Sequence, residues 1–233
     1  PAISEARILK NHDSYLRQTA GAIRISNFIC FPAFVVVLIL AVPISTLIYN
    51  APGAGPAVWV SAFSIVLLGL HQITTAVLQG LGHPTVPMIN MIIAAIAKVI
   101  LNWILTAQPS LGIMGAAWAT AADIGIAAFI NLYFLYRYIG YKMELTQVMK
   151  NIIAALIMAA ALYLSYHLIL TRFGSNAIAT LSSVLIGAII YIIVLIAVKG
   201  LLEDDLAAVP VIGKITIRGL RKLGVFKEIS QEL

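Results

Sequence analysis

The sequence predicts an all-α membrane protein: six transmembrane helices, with an amphipathic cytoplasmic helix at each end. Three observations predict it. Hydrophobic residues make up 61% of the 233-residue chain and charged residues only 10%, with a mean hydropathy of +1.01. A soluble domain carries nearer a quarter charged residues. Apolar runs recur six times, near 27–49, 57–80, 86–106, 112–138, 148–170 and 175–199, each long enough for a helix to cross hydrocarbon. With residues 1–26 placed on one side, thirteen of the 15 Lys and Arg fall on that side, Arg172 falls alone on the other, and Lys98 lies inside a span. The positive-inside rule makes the crowded side the cytoplasm, so both ends are cytoplasmic.

Four regions follow: a linker helix over 1–26, four spans over 27–138, two further spans over 139–199, and a tail over 200–233. Ser4 caps the linker helix. Arg7, Lys10, Arg17 and Arg24 fall on one side of it, and Leu9, Leu16, Ala20 and Ile23 on another. This suits a juxtamembrane anchor or a basic landing surface for a phosphorylated lipid. Pro32 and Pro43 should bend the first span. The outer links near 51–56, 107–111 and 171–174 are short, which excludes an outer domain. The inner link 81–86 is also tight, so spans two and three should form a hairpin. Small residues on nearly every face of span four, among them Gly115, Ala119, Ala122 and Gly125, favour close helix packing or a groove. Tyr49, Trp59 and Trp103 mark the outer interface, and Tyr133, Tyr136, Tyr138 and Tyr141 the inner one. In the tail, Ile212, Ile215, Leu220, Leu223 and Phe226 face away from Lys214, Arg218, Arg221 and Lys222. That is the pattern of an in-plane helix on anionic headgroups, or of a solvated basic tail.

Polar residues inside the spans are the candidate site. Span two carries His71, Gln72, Thr75 and Gln79; span three carries Asn90, Lys98 and Asn102; span four carries Thr120, Asp123 and Asn131. Groups at such depth normally face a bundle interior or a watery cavity. Together the three stripes suggest a transport pathway, whereas single Asn or Thr residues often only join helices. Lys98 lies ~18 Å from the inner start of its span and Asp123 ~14 Å from the inner face, at ~1.5 Å per residue in a ~30 Å core. They can therefore pair, either as a static tie or as a switch. His71 is a packed histidine or a proton carrier; His167 lies near the outer interface.

Several strings resemble one family when taken in order: Pro1-Ala-Ile-Ser-Glu-Ala6, Leu78-Gln-Gly-Leu-Gly-His-Pro84, the Lys98…Asn102 pair, and Pro109-Ser-Leu-Gly-Ile-Met-Gly-Ala-Ala-Trp-Ala-Thr120. They resemble the polysaccharide-exporter branch of the multidrug/oligosaccharidyl-lipid/polysaccharide flippase superfamily, near stage V sporulation protein B and its relatives. The resemblance implies a fourteen-helix, two-lobe fold in a bacterial plasma membrane, of which this chain matches the last six spans. It implies a polyprenyl-pyrophosphate-linked saccharide or peptidoglycan precursor as substrate and a missing N-terminal lobe as partner. The arginines expected to hold the pyrophosphate belong to the missing helices, so no residue here takes that role by motif.

Other readings are a cation-coupled multidrug exporter, a structural partner of a synthase, and a membrane glycosyl or acyl transferase. The spans hold few acidic residues for ion coupling, and no acid, base or metal constellation sits near an interface. Cys30 stands alone, without disulfide or metal spacing. The sequence calls for no cofactor, and its basic residues flank spans rather than forming a nucleic-acid surface. The orientation is open to cysteine labelling in intact cells on a Cys30-free background. A cysteine replacing Ala54 should react with an impermeant reagent and one replacing Glu144 should not; the opposite pattern would reverse the topology.

Overall fold

The computed structural model describes residues 12–198 and 200. Ser4, Arg7, Leu9 and Lys10 of the expected linker helix, and Lys214, Arg218, Arg221 and Lys222 of the expected tail helix, lie outside the described residues. The described chain is all helical. Its helices are α1 (His12–Ile39), α2 (Ala41–Tyr49), α3 (Gly55–Gly80), α4 (Thr85–Thr106), α5 (Ile113–Ile139), α6 (Leu145–Phe173) and α7 (Asn176–Ala197). Six stretches are long and apolar enough to cross a membrane, running Tyr15–Ile39, Pro52–Gly80, Thr85–Thr106, Ile113–Ile139, Leu145–Phe173 and Asn176–Ala197.

Helix α1 runs through residue 26 without a break. The first span breaks only at Leu40, whose ψ of 23° leaves the helical range before α2 begins. Pro43 accounts for the break: it has no N–H to give the Ile39 carbonyl, and its ring collides with that carbonyl. Pro32 is absorbed inside α1. Helix α2 ends on Asn50 in the left-handed conformation (φ 49°), its N–H bonded to the Thr46 carbonyl at 3.0 Å, as a C-terminal cap requires. Gly140 (φ 67°) and Gly174 (φ 65°) close α5 and α6 the same way, at positions where a Cβ would be strained.

The helices pack in the order α4, α5, α3, α1, α6, α7, with α2 resting on α3 and α7. The sequence expected α3 and α4 to form a packed hairpin. They are joined by a short link but scarcely touch, because α5 lies against both. A short link fixes only where helix ends meet. Small residues on α5 decide the packing, since between helices in lipid there is little hydrophobic gain and close approach governs. At Gly115 an added Cβ would lie 2.6 Å from the Leu105 carbonyl on the α4 side.

Two apolar clusters fill the remaining contacts. One joins Ile23 of α1, Leu78 of α3 and Leu135 of α5; the other joins Val35 of α1, Leu40 at the break, Met158 and Leu162 of α6, and Tyr191 of α7. Polar ties accompany the second: the buried Tyr191 hydroxyl donates to Asn151 at 3.0 Å, and the half-buried Asn176 donates to the Pro43 carbonyl at 3.0 Å. Tyr49, Trp59, Trp103, Tyr133, Tyr136 and Tyr138 are exposed, as interfacial rings should be, but Tyr141 is buried.

Gly115→Ala should push α4 from α5 and cost roughly 1–3 kcal/mol, the usual range for overpacking. Gly53→Ala, with open space around it, should change little. Unfolding in graded denaturing detergent measures both; equal behaviour would remove Gly115 from the packing argument.

Candidate functional site

The ten polar residues singled out in the spans occupy three helices that touch through α5. Asn90 of α4 and Asn131 of α5 are buried, and Asn90 Nδ2 donates to Asn131 Oδ1 at 2.8 Å. Asn131 Nδ2 in turn donates to Thr75 Oγ1 of α3 at 2.9 Å. Thr75 Oγ1 also lies 3.5 Å from His71 Nε2, one turn along the same helix. A single amide thus connects three helices, and both of its functions are used. Burial without those bonds would leave unpaired amide groups in an apolar medium, which is costly.

Two turns along α5 lies the charged tier. Lys98 Nζ sits 3.4 Å from Asp123 Oδ2, with the side chains 40% and 20% exposed. Depth along the spans, read from sequence, foresees this meeting. The exposure adds that the pair is open on one side. Gln72 and Gln79 of α3 and Asn102 of α4 are exposed and make no bond to the other site residues. Amides and a half-exposed ammonium are poorly suited to lipid; such side chains favour water or another protein surface. Thr120 stands apart: its hydroxyl donates to the Ala116 carbonyl of its own helix at 3.0 Å.

Roughly 20–200° round α5 from Asp123, taking ~100° per residue, lies an apolar groove of about 620 Å³. Phe63 and Leu67 of α3 line it with Trp118, Ala122, Gly125 and Phe129 of α5. The small-residue pattern of α5 hinted at such a groove. The rings of Phe63 and Trp118 stack at 5.5 Å to form its wall.

The residues read as headgroup contacts divide at the other end of α3 and α5. Arg17 is exposed. Arg24 turns inward: its Nη1 donates to both carboxylate oxygens of Glu144, at 3.2 and 3.0 Å, and its side chain is 17% exposed. Sequence reasoning missed this pair because its members stand 120 positions apart. The one available signal was an acidic residue among the cations of the basic side.

These features define a multi-pass helical membrane protein with an ionisable pair on an open polar face, an arrangement found in transporters. The chain belongs to the Lipid II flippase MurJ family, whose sequence model matches residues 1–200. Stage V sporulation protein B of Bacillus subtilis (strain 168) is 24% identical over 218 residues, covering 94% of this chain and 42% of that protein. The uncharacterized membrane protein YabM of the same organism is 31% identical over 175 residues, 72% of this chain and 32% of that one. The probable low-salt glycan biosynthesis flippase Agl15 of Haloferax volcanii is 27% identical over 146 residues, 62% and 30% of the two chains. A solved structure of the lipid II flippase MurJ in an inward closed conformation shares the fold, with a TM-score of 0.69 and 19% identity over 83% of this chain and 40% of that one. The chain therefore spans less than half the length of each of these relatives.

Asn131→Leu should cost ~1–3 kcal/mol, two interhelical bonds at ~0.6–1.7 kcal/mol each, while Thr120→Ala should be near neutral. Denaturing-detergent titration reads both, and an unaffected Asn131 variant would show that the three-helix clamp carries no stability.

Proposed function

We propose that this chain supplies part of a flippase that turns a lipid-linked oligosaccharide or peptidoglycan precursor outward across the bacterial plasma membrane. The observation that carries this reading is the open polar face of α3, α4 and α5 around Lys98 and Asp123, in a chain of the Lipid II flippase MurJ family. A polyprenyl-pyrophosphate-linked saccharide has an anionic head that lipid rejects. Lys98 offers that head a cation at mid-membrane, and Asp123 holds the cation when the head is absent. Exchange of carboxylate for pyrophosphate on one ammonium makes the pair a switch. The exposed Gln72, Gln79 and Asn102 extend the polar wall, and Thr75, Asn90 and Asn131, with His71 beside Thr75, hold its helices together from within.

Six spans provide one wall of such a route. The unmatched length of the relatives leaves room for a second lobe opposite, and the polar face is the surface that lobe would cover. The charge pattern of the sequence supports cytoplasmic placement of both ends.

The test is scrambling of a labelled polyprenyl-pyrophosphate sugar in vesicles holding the full-length protein. Lys98→Ala and Asp123→Ala should each slow it by roughly tenfold or more, about 1.4 kcal/mol of barrier. A double replacement by Leu should stay slow; recovery would make the pair a static tie. Residues 1–233 alone should not exceed empty vesicles, and clear flipping by them would overturn the one-wall reading. A fluorescent drug moved in place of the precursor would favour a multidrug exporter.

A further inference from the structure

At the basic end of the bundle, a cleft of about 320 Å³ opens where α1 meets the link between α5 and α6. Leu16, Arg17 and Arg24 line it from α1, and Tyr141, Lys142 and Glu144 from the link. Three cations therefore face one carboxylate. Glu144 is engaged with Arg24. Arg17 and Lys142 are exposed and have no ion-pair partner among the described residues. The cleft thus holds an excess of two positive charges, both on exposed side chains.

Its depth and lining decide what those charges suit. Arg17 is the third residue of the span Tyr15–Ile39, and the link falls between the spans ending at Ile139 and starting at Leu145. Arg24 lies ~10 Å deeper than Arg17 along α1, at ~1.5 Å per residue. The cleft therefore starts at headgroup level and runs inward. Leu16 and Ala20 supply an apolar wall beside the cations, a pairing that suits an amphiphile better than a free ion. Tyr141 closes the floor. Burial, with Glu144 adding and Arg24 opposing, pushes its phenol up to about 12, so it keeps its hydroxyl proton at neutral pH.

We propose that this cleft binds the phosphate group of an anionic phospholipid, with Arg17 and Lys142 on the phosphate and Leu16 and Ala20 as the apolar wall beside its glycerol. The site is separate from the polar face and does not depend on what that face transports. A bound lipid here would bridge α1 to the α5–α6 link beside the Arg24–Glu144 pair, bracing two elements far apart in sequence. The source of the phosphate is the bilayer itself, which surrounds the open side of the cleft; basic pockets at this depth are a recurring way of holding anionic headgroups.

Native mass spectrometry of the full-length protein, released from detergent micelles doped with equal phosphatidylglycerol and phosphatidylcholine, tests the site. The wild type should retain phosphatidylglycerol preferentially. Arg17→Gln combined with Lys142→Gln should reduce that retention by roughly tenfold or more, given ~1 kcal/mol per basic residue. Both side chains are exposed, so folding should survive; circular dichroism checks it, and Arg17→Lys should keep most of the binding. Arg137→Gln, at the same end but outside the cleft, should leave retention unchanged. Equal loss in the Arg137 variant would reduce the effect to diffuse surface charge and overturn the proposal, as would undiminished binding in the double variant. Displacement of the lipid by low-millimolar inorganic phosphate would instead identify a free-anion site and reject the lipid.

Discussion

One amide side chain organises the part of this protein that matters most. Asn131 gives to Thr75 and takes from Asn90, so α3, α4 and α5 are held at one level by a single residue with no exposure. In water such bonds merely replace bonds to solvent. In lipid the alternative for an Asn is to find another partner or stay unpaired. The clamp therefore fixes the rotation of α5 about its axis. Once that rotation is set, Asp123 two turns away is aimed at Lys98, and Ala122, Gly125 and Phe129 are aimed at the groove. Polar face and apolar groove are two consequences of one constraint.

The charged tier differs in kind from the clamp. Each charge costs roughly 2.5–3.5 kcal/mol to insert at mid-membrane on translocon scales, and pairing recovers part of that. Yet Lys98 is 40% exposed and the contact is 3.4 Å rather than a tight charge-assisted bond. In the flippase we propose, water or a competing anion would reach the ammonium without opening the helices. The buried amides hold the helices together, and the half-open ions remain available for exchange. A wall built this way can stay rigid while its charges change partners.

How much of this was legible in the sequence depends on what each feature rests on. Span number is set by runs of apolar residues, which lie along the chain; the start of the first span was not legible, because the helix is continuous from His12 and its apolar stretch runs Tyr15–Ile39 rather than from 27. The meeting of Lys98 and Asp123 followed from depth, because helix rise converts position into height. Which polar groups in a stripe reach across to another helix was harder. Asn131 bonds to two neighbouring helices, whereas the hydroxyl of Thr120 in the same stripe bonds back to Ala116, an option that every Thr in a helix has. Which helices touch was not legible from link length: α3 and α4 are tethered neighbours, and α5 still comes to lie against both.

The least legible features are those that join distant segments. Tyr141 read as one more interfacial ring in a row with Tyr133, Tyr136 and Tyr138. Its burial follows from Gly140, whose left-handed turn ends α5 and swings the next residue back under α1 and α3. The same reversal carries Glu144 to Arg24. Nothing in the local pattern around either residue requires that pairing. A positive φ at a glycine is visible only once the chain is folded, and here it decides which of two clustered basic segments meets an acid. The division of labour at the basic end, with Arg24 held inward and Arg17 left outward, thus traces to one backbone angle 116 positions after Arg24.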